Sequence, residues 1–100
     1  MPLAGSPGSF RLPNRLCAEA WNNCVLDALT AIETSHSRLV VECAALESFD
    51  ESGVALLIGL ARYSERRQLR VELVNPPDAL RADLEFRGLA WLFEWRPLLV

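Results

Sequence analysis

The residues with the most chemistry to offer are Asp50, Glu51 and Ser52, which stand together ahead of Gly53 and the apolar run Val54-Ala55-Leu56-Leu57-Ile58-Gly59-Leu60. Two carboxylates and a hydroxyl at the start of a helix can cap its free N–H groups and sit in the favourable field of its positive end. Such a charged, outward-facing turn also suits an anion or a partner protein that reads local charge. Asp50 is placed to be the N-cap, Glu51 lies in the first turn, and Ser52 can bond a free amide. Gly53 has no side chain, so another backbone can approach it closely, from within the fold or from a partner.

A nucleophile has less support, because a thiol becomes a catalyst only beside a base that activates it. Cys43 follows Glu42 in an apolar stretch, where thiols behave as small hydrophobes, and His36 sits between Ser35 and Ser37 in a polar turn. A small catalytic domain built on Cys43 and His36 is therefore the minor alternative, and the chain reads as non-enzymatic. Cys17, Cys24 and Cys43 are odd in number and lack CxxC spacing. Neither a disulfide framework nor a zinc site is indicated, no cofactor is implied, and buried thiols in a reducing cytoplasm fit the pattern.

Two further clusters stand out. Arg62, Arg66, Arg67 and Arg70 crowd the end of the same helix and the start of the next segment. They complement the negative end of the helix dipole, and as a patch they would suit an acidic protein or lipid headgroups. Trp91, Phe93 and Trp95 alternate, so in an extended strand they would share one side. Trp91 and Phe93 are expected to close the core, and Trp95, beside Arg96 and Pro97, is the candidate solvent-facing anchor.

The elements that must position these groups follow from periodicity. Phe10 and Leu12 alternate with polar neighbours before Pro13, which predicts a short first strand. Ala18, Trp21, Val25, Ala28 and Ile32 recur at three- and four-residue steps, predicting an amphipathic helix over about 16–33. The run 38–44 reads as a well-covered strand, 51–66 as a helix apolar most of the way round, and 69–73 as a strand with one wet face. Asn75-Pro76-Pro77-Asp78 starts a third helix with Leu80, Leu84 and Phe86 inward and Gly88 as its C-terminal cap. Alternating strands and helices predict an α/β domain with helices flanking the sheet.

Composition bounds the rest. One hundred residues, 51% hydrophobic, make one small domain, with 1–8 as a flexible leader and 9–100 as the folded unit. A net charge of −3 lacks the basic face that binding to nucleic acid needs, and all ten cationic residues are arginine. No stretch reaches the roughly 18 apolar residues of a membrane span, and the start lacks the features of a secretion signal. The expected location is cytoplasmic, without direct membrane insertion.

Taken together, the apolar strand Leu39-Val40-Val41-Glu42-Cys43, the loop Phe49-Asp50-Glu51-Ser52-Gly53 with Val54-Ala55-Leu56-Leu57 after it, Leu73-Val74-Asn75-Pro76, and Leu84-Glu85-Phe86-Arg87-Gly88-Leu89 form an ordered set. In this order and spacing the chain, over residues 9–93, resembles the STAS domain family, which includes anti-sigma factor antagonists and the cytoplasmic STAS subunit of the Mla phospholipid transporter. The resemblance implies a STAS-like fold: a small mixed sheet of about four strands flanked by three or four helices. Many relatives begin with two strands, whereas Pro2, Gly5, Pro7 and Gly8 leave only one legible here.

In the family the loop usually reads Asp-Ser-Ser-Gly or Asp-Thr-Gly-Gly, and the residue after the aspartate accepts phosphate or contacts the partner. That position is Glu51, which cannot be a reversible phosphoacceptor and supplies one charge where a phosphate carries about 1.5 to 2. Ser52 is then the possible phosphorylation site. The resemblance implies a bacterial regulatory protein that docks on an ATP-binding partner through Asp50, Glu51, Ser52, Gly53, Leu56 and the outer face of the helix, with Trp95 as a further contact. The leading expectation is an anti-sigma factor antagonist-like component, whose partner would be an anti-sigma factor kinase; a transport subunit is the alternative. The partner would be the ABC transporter ATPase if the chain is an accessory subunit in phospholipid transport, a branch that the lead-in Leu12-Pro13-Asn14-Arg15-Leu16 also resembles.

Overall fold

The computed structural model describes residues 8–96, so the expected leader, apart from Gly8, lies outside the described residues. Six strands and three helices follow in the order β1 (Ser9–Arg11), β2 (Arg15–Leu16), α1 (Ala18–Thr34), β3 (Arg38–Glu42), β4 (Ser48–Phe49), α2 (Glu51–Arg66), β5 (Arg70–Val74), α3 (Asp78–Phe86) and β6 (Phe93–Arg96). A 3₁₀ turn, Ala90–Leu92, leads into β6. The main sheet has the order β1-β3-β5-β6, and β2 and β4 form a separate two-stranded ladder.

All described pairings are parallel, where a mixed sheet was expected. Each neighbour in the main sheet is reached through a helical crossover, which parallel strands require. The crossovers step the same way each time, so their common right-handedness sends all three helices to one face. That face carries Phe10, Val41, Leu73 and Trp95 in one row and Leu39, Val71 and Phe93 in the next. Helix residues Trp21, Ala28, Leu57, Ala61, Leu80 and Leu84 close over them as the core.

The opposite face is a lattice of charge. Arg38 and Arg96 both reach Glu72, and Arg38 and Arg70 both reach Glu94, at 2.6–3.9 Å. Glu72, expected on a wet face, is buried beneath these guanidinium groups.

Three expectations about inward faces are corrected. On α1 the buried stripe is Trp21, Cys24, Ala28, Ala31 and Ile32, while Val25 faces out with Leu26 and Leu29. The helix is apolar around more than half its circumference, so periodicity alone left its rotation open. Phe86 is 92% exposed, because two residues beyond Leu84 a helix has turned to its far side. Trp91 sits in the 3₁₀ turn rather than in β6 and is 59% exposed, so of the pair expected to close the core only Phe93 does so. Gly88, at φ 73°, turns the chain out of α3 as a C-terminal cap should.

Candidate functional site

The turn at 50–53 is placed by the small β2–β4 ladder. Pairing Arg15 with Ser48 and Leu16 with Phe49 brings the start of α1 beside the start of α2. The Asp50 amide donates to the Leu16 carbonyl at 3.1 Å. A Cβ on Gly53 would stand 2.0 Å from that same carbonyl oxygen, so only glycine lets α2 begin here. The Gly53 carbonyl in turn accepts from Trp21 Nε1 at 3.4 Å. Gly53 is buried, and the backbone that approaches it belongs to this chain. It shapes the turn from beneath and takes no part in the outer surface.

Asp50 is the N-cap of α2. Its Oδ1 accepts from the Gly53 amide at 2.9 Å and from the Ser52 hydroxyl at 2.7 Å. These bonds hold its carboxyl below the usual carboxylate range, the Ser52 hydroxyl contributing most and the Gly53 amide next. Ser52 Oγ also accepts from the Ala18 amide at 3.1 Å. One exposed hydroxyl therefore joins the first turns of two helices, a link invisible in a linear reading because 34 residues separate the partners.

Glu51 does not stand as a free charge. Arg87, at the C-terminal end of α3, grips its two carboxylate oxygens at 2.7 and 2.9 Å and holds Asp83 through Nε at 2.7 Å. Glu51 remains 80% exposed, yet this bidentate bond pushes its pKa down, with Arg87's hydrogen bonding the main cause. The Asp83–Arg87 half of the cluster was readable as an i,i+4 pair, but nothing in the sequence pointed from Arg87 to Glu51.

From this turn the outer face of α2 runs through Ala55, Leu56, Gly59 and Tyr63, all exposed. Leu56 is 43% exposed, and a Cβ added to Gly59 would meet nothing within 4 Å. Trp95, expected to face solvent, is instead half-buried. Its Nε1 donates to the Ala90 carbonyl at 2.9 Å, its ring meets Phe93 edge-on, and the Arg81 guanidinium lies 5.4 Å from its centre. The exposed tryptophan is Trp91, which the alternating pattern had assigned to the core.

Cys43 and His36 lie beyond opposite ends of β3, roughly 20 Å apart at strand spacing, and form no nucleophile–base pair. Burial first, then the neighbouring Glu42 charge, pushes the Cys43 thiol up to about 12. Among the described residues no group of three His, Cys, Asp or Glu side chains is arranged to hold a metal ion. The small open depression at the carboxyl ends of β1, β3 and β5 is lined by Arg11, Glu42, Ala44, Ala45 and Asn75. There Glu42 Oε2 is already held by the Ala44 amide and Asn75 Nδ2.

Residues 22–96 match the family model described as Mlab, STAS domain. No curated protein and no solved structure matches the chain.

Proposed function

The chain belongs to the STAS domain family, and from that premise we propose that it is a non-enzymatic docking protein whose surface around Asp50, Glu51, Ser52 and Leu56 binds an ATP-binding partner. STAS domains commonly bind partner proteins and are generally without enzymatic activity, so a STAS-type regulatory or binding role follows from membership. No helix among the described residues is long and apolar enough to cross a membrane. The observation that carries the proposal is continuity. The exposed, capped turn passes directly into the exposed stripe Leu56, Gly59 and Tyr63, placing polar and apolar contacts along one helix face.

Of the two candidate partners, the ATPase of a phospholipid-transport ABC complex comes first. Glu51 cannot cycle through phosphorylation, and its carboxylate is already engaged by Arg87. A permanent subunit needs no such cycle, and the Mlab description of the matching family favours the same branch. The second reading is an antagonist acting on an anti-sigma factor kinase. Ser52 favours it, because its exposed hydroxyl stands one residue from the usual acceptor position.

Both readings are tested by titrating the purified chain against each partner type encoded near it. Binding to the ABC ATPase that is lost in Leu56→Asp supports the first. Transfer of phosphate to Ser52 by a kinase, abolished in Ser52→Ala, supports the second. Binding to neither partner overturns both.

A further inference from the structure

Two exposed rings lie in the segment 86–91, which Arg87 fastens to Glu51, and belong to none of the contacts proposed above. Phe86 is the last residue of α3, and Trp91 lies in the 3₁₀ turn that packs against both α2 and α3. Between them in sequence is Arg87, fixed by Glu51 and Asp83. The three bonds tie the end of α3 to the start of α2 and brace the helix end that carries Phe86. Phe86 still exposes nearly all, and Trp91 more than half, of the roughly 150–250 Å² that an aromatic side chain can bury.

We infer that Phe86 and Trp91 are the apolar anchors of the docking surface, and that the partner protein receives them in an apolar cleft edged by lysine or arginine. The inference rests on the docking reading above.

The charge of the patch selects that occupant. Glu51 and Asp83 share the single guanidinium of Arg87, and Glu85 takes Arg81 at 3.3 Å. Asp50 forms no ion pair among the described residues, although the field of Arg15 reaches it. Glu19 adds a further acid in the first turn of α1, the turn whose Ala18 amide donates to Ser52. Negative charge is thus in surplus at the turn and along the end of α3, which repels an anionic membrane or a nucleic acid and favours a basic protein rim. Aromatic anchors inside a charged rim are also the usual anatomy of an interface centre.

The test uses the purified full chain and the purified ATP-binding protein that binds it, with Phe86→Ala, Trp91→Ala and Leu26→Ala compared by calorimetry. Leu26, on α1, is 75% exposed and lies off the patch, so it controls for loss of any exposed apolar side chain. All three variants should keep the parent's melting temperature. Phe86→Ala and Trp91→Ala should each weaken binding by about tenfold or more, with Leu26→Ala within about twofold of the parent. Parent-like affinity in both ring variants, while Leu56→Asp abolishes binding, overturns the anchors and leaves the docking reading standing. A parent chain that binds no ATP-binding partner overturns both. If the ring variants instead dissociate a dimer of this chain with unchanged partner affinity, the occupant is a second copy and the inference fails.

Discussion

Asp50 and Glu51 look alike in sequence but do different work. Asp50 spends its carboxylate on the Gly53 amide and the Ser52 hydroxyl, whereas Glu51 spends its own on Arg87. Both carboxyl groups are pushed down in the folded chain. Their stabilising contributions are therefore complete above the ordinary carboxylate range and lost as pH falls through the lowered folded values. Asp50→Ala should lower the urea midpoint at pH 7, and its gap from the parent should shrink below about pH 4, where the unfolded chain's carboxylates protonate ahead of the folded one's. Glu51→Lys is a compound change, because it also sets a cation against Arg87; Glu51→Gln removes the charge while keeping an acceptor. Cys43 has the opposite sign. Its thiol, raised to about 12, stays neutral in the folded chain while an unfolded thiol ionises near 8.5, so stability should fall as pH rises through that interval. Alkylation should reach the partly exposed Cys17 in the native protein and Cys43 only on unfolding, as mass spectrometry of labelled peptides would show.

At the scale of elements, α2 carries two glycines with opposite meanings. Gly53→Ala drives a Cβ into the Leu16 carbonyl, where backbone must give way, and should cost about 3 kcal/mol in urea unfolding. Gly59→Ala meets open space in mid-helix and should gain about 0.8 kcal/mol through helix propensity alone. If a partner backbone lies along the outer face of α2, that stabilising variant will bind more weakly. Much of this helix was legible beforehand. The start at Glu51 and the end at Arg66 follow from a capping aspartate, an apolar run and a basic end, all of which act within one or two turns. The β2–β4 ladder was not legible, because two-residue strands carry no periodicity, yet it sets the close approach at Gly53.

The whole molecule is polarised along α2. Glu19, Asp50 and Glu51 lie where α1 and α2 begin, Asp83 is tied to them through Arg87, and Arg62, Arg66 and Arg67 gather where α2 ends. Exposed charge of this kind steers encounter more than it holds a complex together. Raising salt from about 0.05 to 0.5 M should slow association with a basic-rimmed partner by about tenfold and leave dissociation nearly unchanged, as stopped-flow mixing would measure. On the far face of the sheet three arginines, Arg38, Arg70 and Arg96, share Glu72 and Glu94, so most of its charge is paired within the chain.

The alternating α/β order, the capped turn at Asp50 and the span of α2 were decided by sequence, since each depends on neighbours a few residues away. The rotation of α1, the burial of Trp95, the exposure of Phe86 and Trp91, and the Arg87 grip on Glu51 were decided only by tertiary structure. Those outcomes depend on which surfaces meet across the crossovers. An amphipathic pattern names a set of apolar side chains, but only packing selects which of them the core has room to cover.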